Sequence, residues 1–167
     1  MQNAARNLLI ISAIVVSLFG ALSFYLASQD YVADSVIFNT SKNIAINGYD
    51  TVAYYQQKRP IIGDPQFQAE WAGSIWFFSS MENRDLFVGA PANYAPLYGG
   101  YDPLGVSKGY TNPTDPEVYT LLAGQLYLHY SAEYREHWQN DRARNMVLAN
   151  SNWAFLREQL LSIQNAE

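Results

Sequence analysis

The sequence contains no cysteine, which excludes disulfide bonds, thiolate zinc sites, iron–sulfur clusters and a cysteine nucleophile. Basic residues are also few, because 10 Lys and Arg stand against 15 Asp and Glu, and the formal net charge is -5. Such a chain has no basic surface for a phosphate backbone, so we expect no nucleic-acid partner. Only two histidines are present, and the sequence has no HExxH zinc motif and no P-loop. Nucleophilic triads, zinc hydrolases and phosphate-loop proteins therefore have little support.

A 20-residue apolar stretch without a charge, residues 8–27, predicts a transmembrane signal-anchor. As a helix rising ~1.5 Å per residue it would cross the ~30 Å hydrocarbon core of a bilayer. Arg6 precedes it and aspartates follow it, so the positive-inside bias places residues 1–7 in the cytoplasm and the rest of the chain outside. Residues 28–43 would then form a tether. The expected location is the inner membrane, crossed once, with a periplasmic C-terminal domain; a cleaved signal peptide is the alternative, although its apolar region usually runs about 7–15 residues.

The remaining chain, residues 44–163, predicts one α+β domain with a small antiparallel sheet of hairpins packed against helices. Residues 67–71 and 74–78 flank an Ala-Gly pair and are typical of a hairpin, as are residues 118–122 and 125–130 around a second Ala-Gly pair. We expect the first hairpin to lie at the centre of the sheet with its second strand fully buried. No internal repeat and no second domain is evident.

Two helical regions are indicated by their N-terminal capping residues. Ser79-Ser80-Met81-Glu82 matches a capping box and predicts a helix that ends before Pro91. Ser131 is suited to cap a final helical region. Apolar residues follow there at steps of three and four, which predicts one buried stripe that packs against the sheet. The stripe consists of Met146, Ala149, Trp153, Leu156, Leu160 and Ile163.

Residues 97–109 contain four glycines and a proline, and we call this segment the glycine bend. Glycines at this density occur where the backbone needs positive φ or where a group approaches closely. Tyrosine rings around the bend could bind a small ligand through packing and a few hydrogen bonds. The alternative is a tyrosine-rich core whose hydroxyl groups reach backbone carbonyls. The candidate ligand-binding residues are Tyr49, Tyr98, Gly99, Gly100, Tyr101 and Tyr127.

Asp50, Asp102 and His129 form a candidate metal or acid–base site, provided that the fold brings them together. The alternative is structural: Asp50 caps a turn, Asp102 begins an Asp-Pro turn, and His129 is hydrogen-bonded at the end of a strand. Glu133 and His137 are four residues apart and are explained as a pair on a helix surface.

Several motifs in this order resemble the bacterial exported, membrane-anchored branch of the YHS-domain family. They include Asn47-Gly48-Tyr49-Asp50, Trp76-Phe77-Phe78-Ser79-Ser80, Tyr98-Gly99-Gly100-Tyr101 and Leu126-Tyr127-Leu128. The resemblance covers roughly residues 44–156 and implies a small α+β domain. In other branches the module is associated with heavy-metal handling through cysteines.

The chain departs from the family pattern at two positions. Asp102 stands where cysteine commonly follows Gly-Gly-Tyr, and His129 stands where related sequences usually have asparagine. A carboxylate in place of a thiolate favours a hard or borderline divalent ion such as Mg²⁺, Ca²⁺ or Mn²⁺ over Cu(I), if a metal binds.

The anchor, the resemblance and the scarcity of catalytic motifs together predict a non-catalytic, extracytoplasmic YHS-type domain that binds a small ligand or a metal ion. One alternative is an enzyme in which Asp102 and His129 form an acid–base or metal site. Another is an interaction module of an envelope complex with an exposed aromatic patch.

Overall fold

The computed structural model describes residues 43–164, which form an α+β fold within one compact unit. Its strands are β1 (Asp64–Trp71), β2 (Ser74–Phe78), β3 (Asp115–Leu122) and β4 (Gln125–His129). Its helices are α1 (Ala53–Gln56), α2 (Met81–Gly89), α3 (Pro103–Ser107), α4 (Ala132–Asn140) and α5 (Arg142–Gln164).

The predicted cytoplasmic segment (residues 1–7), the predicted anchor (residues 8–27) and nearly all of the predicted tether (residues 28–43) lie outside the described residues. Among residues 43–164, no helix combines the length and the hydrophobicity that a membrane crossing requires.

The α+β class is confirmed, but the two hairpins do not join into one sheet. In the described part of the chain, β1 pairs only with β2 and β3 only with β4, each antiparallel. The expectation of a single sheet centred on the first hairpin is therefore wrong. One reason is that Ile44 lies beside β2 and makes a parallel bridge to Ile75. Strand β2 is also not buried throughout, because Ile75 and Phe77 are half-buried while their neighbours in the strand are buried.

The two hairpins are copies of one structural pattern 51 residues apart, contrary to the expectation that the chain contains no repeat. Both first strands have eight residues and begin with Asp-Pro, and both second strands have five. The pairing slips at equivalent places, between Asp64 and Gln68 in the first hairpin and between Asp115 and Tyr119 in the second. Each turn is an Ala-Gly pair with positive φ at both residues. The φ values are 51° and 71° at Ala72 and Gly73, and 50° and 77° at Ala123 and Gly124.

The helices that follow the hairpins repeat as well. The Ser80 hydroxyl caps α2 by accepting from the amide of the residue three positions on, and Ser131 caps α4 in the same way; both helices have nine residues. The cap of α2 is thus Ser80 and not Ser79, the serine of the predicted capping box. Equivalent aromatic residues pack together in the two copies. Their ring centroids lie 4.9 Å apart for Trp76 and Phe87, and 5.0 Å apart for Tyr127 and Trp138.

The repeat also includes the segments that precede the hairpins. Three consecutive residues have positive φ in each copy, and an aspartate two residues later lies next to a short helix. The φ values are 40°, 58° and 77° at Ile46, Asn47 and Gly48, and 54°, 62° and 87° at Tyr98, Gly99 and Gly100. The domain is therefore built from two units, residues 46–89 and residues 98–140, which we call unit A and unit B.

Helix α5 follows the two units and closes the core. Ala149, Trp153 and Leu156 are buried, which confirms the centre of the predicted stripe, whereas Ile163 is 58% exposed. The helix packs mainly on α3 and not on a sheet, and the Asn152 side-chain amide donates to the carbonyl oxygens of Val106 and Ser107. The stripe therefore covers the glycine bend.

Candidate functional site

Asp50 is a fully buried carboxylate that organises unit A. Its Oδ1 accepts hydrogen bonds from the amides of Val52 (2.9 Å) and Ala53 (3.2 Å), at the start of α1. Its Oδ2 accepts from the Ser79 amide (2.8 Å), the Ser79 hydroxyl (2.6 Å) and the Asn83 side-chain amide (2.6 Å). All of these donors belong to unit A, so Asp50 ties the first helix of the unit to the end of its hairpin.

Asp102 occupies the equivalent place in unit B and is also fully buried. Its Oδ2 accepts from the Gly105 amide (2.7 Å) at the start of α3, and its Oδ1 accepts from the Tyr130 amide (3.1 Å). Tyr130 is the counterpart of Ser79, because each is the first residue after the second strand of its hairpin. The structure thus supports the alternative interpretation of both aspartates as caps.

The two sites differ in their side-chain donors. Tyr130 and Tyr134 stand in unit B where Ser79 and Asn83 donate to Asp50 in unit A. Burial raises the pKa of Asp102 above its ordinary value, although nearby amides and the charge of Lys108 oppose the rise. The carboxylate of unit B is therefore harder to ionise than a solvated aspartate.

His129 lies beside Asp102, and both side chains are inaccessible to solvent. Its Nδ1 is 3.8 Å from Asp102 Oδ1, and its Nε2 is 3.0 Å from the Thr120 hydroxyl oxygen. Burial, together with the charge of Arg135, lowers the pKa of His129 to about 3, so the ring is neutral at pH 7. We assign the ring proton to Nδ1, because a lone pair there would face the carboxylate, and Nε2 then accepts from Thr120.

His129 also has a packing role that the repeat makes visible. It stands where unit A has Phe78, and its ring centroid lies 5.4 Å from that of Trp138, while Phe78 lies 5.0 Å from Phe87. The imidazole therefore replaces a phenyl ring in an aromatic pair. An enclosed neutral imidazole beside an enclosed carboxylate can stabilise the fold, but a substrate in solution does not reach either group.

The predicted metal set is not assembled. Within residues 43–164, no three His, Cys, Asp or Glu side chains converge in a way that could hold a metal ion. Asp102 and His129 are neighbours, but Asp50 is engaged in unit A. The prediction that Asp50, Asp102 and His129 form one site is therefore wrong, because each aspartate is held by the backbone of its own unit.

The tyrosines around the glycine bend pack against the chain itself. Tyr98 is buried, its hydroxyl donates to Asn150 Oδ1 at 2.8 Å, and its ring lies 6.3 Å from that of Tyr127 and 5.9 Å from that of Trp153. The ring of Tyr101 also packs on Trp153, at 6.2 Å. Helix α5 thus supplies partners for the rings that were candidates for a ligand pocket.

The other predicted ligand-binding residues are engaged in a similar way. Tyr49 donates to a carboxylate oxygen of Glu117 at 2.8 Å, and so connects the two units. Gly99 and Gly100 are buried. The Gly100 carbonyl accepts from the Thr114 hydroxyl, and a Cβ at this glycine would lie 3.0 Å from the Ile46 side chain. The glycines are therefore explained by the positive φ and by the close approach of the two units.

A cavity of about 440 Å³ lies at the tip of the first hairpin, a place that none of the predicted sites includes. Besides Asn43, its lining includes Glu70, Trp71, Gly73, Ser74 and Ile75. The Ser74 hydroxyl oxygen is enclosed and has no hydrogen-bond partner among the described residues. Trp71 is held by Trp76 and Phe87, whose ring centroids lie 5.9 Å and 5.8 Å away. We call this feature the hairpin cavity.

The second hairpin provides an internal comparison for this cavity. Leu121, Leu122 and Gln125 occupy the positions of Glu70, Trp71 and Ser74. The backbones of the two tips are alike, so the two hairpins differ here in their side chains. The replacement of a Leu-Leu pair by Glu-Trp beside an Ala-Gly turn is the one sequence signal that could have indicated the site.

Comparison of the chain with protein-family models, with curated proteins and with solved structures finds no match. The resemblance to the YHS-domain family therefore rests on the sequence motifs alone.

Proposed function

We propose that the protein is a non-catalytic YHS-type binding domain that is anchored in the inner membrane by residues 8–27 and takes up a small ligand outside the cytoplasm. The main support is the hairpin cavity, whose volume of about 440 Å³ lies within the range of small-molecule sites, about 300–1,000 Å³. Its lining combines an indole ring with polar side chains, so it offers a ligand both a packing surface and hydrogen-bond partners.

The state of the ionisable core residues supports binding over catalysis. A general acid or base has to come within hydrogen-bond reach of the group that it serves. Asp102 and His129 have no solvent-accessible side-chain surface, and the Asp102 oxygens are occupied by backbone amides. The pair is better suited to hold β4 against α3.

A fragment screen on the full chain in lipid nanodiscs tests the proposal. Neutral, anionic and cationic fragments would be compared for binding to the wild type and to Gly73→Asn. A Cβ at Gly73 meets no atom within 4 Å, and asparagine tolerates the positive φ there, so the new side chain is expected to occupy the cavity without unfolding the hairpin. The matched control is Gly124→Asn, at the equivalent turn of the second hairpin.

We expect at least one fragment to bind the wild type and Gly124→Asn and to lose its affinity for Gly73→Asn. Absence of any fragment that distinguishes the two variants would contradict the proposal.

An acid–base enzyme is the second candidate function, favoured by the 3.8 Å approach of His129 Nδ1 to Asp102 Oδ1 and by the contact of Nε2 with the Thr120 hydroxyl. A carboxylate, an imidazole and a hydroxyl in this order can activate the hydroxyl as a nucleophile. Hydrolysis of p-nitrophenyl acetate distinguishes the candidates. The binding proposal predicts equal rates for the wild type and His129→Gln, whereas a rate that falls to background in the variant would support the enzyme.

A further inference from the structure

We infer that the ligand of the hairpin cavity is a small organic ammonium ion with an apolar part, an inference that rests on the proposed function. The first support is the charge of the lining. Glu70 contributes a carboxylate, and no Lys or Arg is among the described residues that line the cavity. Glu70 forms no ion pair with another described residue.

The second support is the position of Trp71. Its ring is tilted against Trp76 and meets Phe87 edge-on, so that aromatic contacts hold it at the cavity wall. Tryptophan is the best aromatic partner for a cation, and a fixed ring loses little conformational entropy when a ligand binds. An apolar group next to the ammonium would pack against the same ring.

The third support is the unsatisfied hydroxyl of Ser74. The side chain is 2% exposed and its oxygen has no partner among the described residues, although buried hydroxyl groups are normally hydrogen-bonded. A primary ammonium group has three N–H donors. Glu70 and Asn43 offer a carboxylate and an amide oxygen at the cavity, and an ammonium that also donates to Ser74 has to displace the atoms that enclose the hydroxyl.

The second hairpin shows that these groups are not needed to build the turn. Unit B forms the same Ala-Gly turn with Leu121, Leu122 and Gln125 in place of Glu70, Trp71 and Ser74. The carboxylate, the indole and the hydroxyl thus have no counterpart in a hairpin of the same backbone. The net charge of -5 also attracts cations to the protein in general.

Phenethylammonium is a suitable probe, with 2-phenylethanol as its neutral analogue and phenylacetate as its anionic analogue. Each would be titrated into the full chain in nanodiscs of neutral lipid and followed by tryptophan fluorescence. Phenethylammonium is expected to bind more tightly than the alcohol by about threefold or more, since the ammonium adds a cation–ring contact and an ion pair that the alcohol lacks. Phenylacetate is expected to bind weakest.

Two variants test the residues involved. Glu70→Gln is expected to remove the preference for phenethylammonium over the alcohol, while Glu136→Gln, an exposed glutamate on α4, keeps it. Ser74→Ala is expected to weaken phenethylammonium binding without lowering the unfolding temperature, because the hydroxyl has no partner to lose.

Equal affinity for the ammonium and the alcohol, with both lost in Gly73→Asn, would overturn the inference and leave the proposed function standing. A preference that Glu70→Gln does not change would also overturn it. If no probe or screened fragment distinguishes Gly73→Asn from Gly124→Asn, both the inference and the proposed function fail.

Discussion

The carboxylate of Asp102 and the imidazole of His129 face each other across 3.8 Å, and neither side chain is accessible to solvent. In the repeat they take the places of Asp50 and Phe78. This contact joins α3 to the end of β4.

The first prediction is that His129 makes the protein less stable in acid. Its pKa is about 3 in the folded state and about 6.5 when unfolded, so the unfolded chain binds the proton first as the pH falls. The contribution of His129 to stability is complete above pH 6.5 and declines by about 1.4 kcal/mol per pH unit as the pH falls towards 3. Asp102 acts in the opposite direction, because its raised pKa lets the folded state take up a proton earlier.

Urea denaturation of wild type and His129→Gln between pH 7 and pH 4 measures this effect. The variant is expected to lose less free energy of unfolding than the wild type over this range. His137→Gln is the matched control, since His137 lies on the exposed surface of α4, and it should follow the wild type. Parallel curves for wild type and His129→Gln would show that the buried ring does not control the acid response.

The second prediction concerns the carboxylate of unit A. Asp50→Ala removes the carboxylate acceptor of the Val52 and Ser79 amides and of the Asn83 side chain, and each such loss is worth about 1–3 kcal/mol. We expect the free energy of unfolding to fall by more than about 3 kcal/mol. Asp64→Ala, at an exposed aspartate that accepts one backbone hydrogen bond, should cost less than about 1 kcal/mol. Similar losses in the two variants would contradict the assigned role of Asp50.

The third prediction compares two glycines. A Cβ at Gly63 would lie 2.4 Å from the backbone carbonyl carbon of Phe77, so Gly63→Ala has to displace the strand and is expected to cost more than about 2 kcal/mol. Gly89 ends α2, and a Cβ there would meet no atom within 4 Å. Gly89→Ala should therefore be neutral or stabilise by up to about 1 kcal/mol. Thermal unfolding of both variants measures these effects. A Gly63→Ala protein as stable as wild type would contradict the close approach of Gly63 to the Phe77 backbone.

The turns and helix ends of the fold could be predicted from the sequence. The Ala-Gly turns, the serine that caps α4 and the end of α2 before Pro91 each depend on a few adjacent residues, and the structure confirms them. The structural interpretation of Asp50 and Asp102 as capping residues was also accessible, because an aspartate that starts a turn accepts from amides two or three residues later.

The other features of the fold and of the candidate site depend on contacts between segments that are far apart in the sequence. The approach of His129 to Asp102 is set by how β4 packs on α3, which no local pattern encodes. The sequence does not reveal the repeat, because the two units share only short identical segments, such as Gly-Tyr-Asp and Asp-Pro. The backbone conformation of the two units is nevertheless alike. The hairpin cavity depends on the placement of Trp71 by Trp76 and Phe87, and α2 contributes the last of these.

The most direct test of the account is an amide chemical-shift map of the isotope-labelled full chain in nanodiscs, recorded with and without phenethylammonium. We predict that the largest shifts occur at residues 70–75, around the hairpin cavity. Shifts concentrated at residues 98–102 and 127–130, around the glycine bend, or no shifts at saturating probe, would contradict the assignment of the binding site.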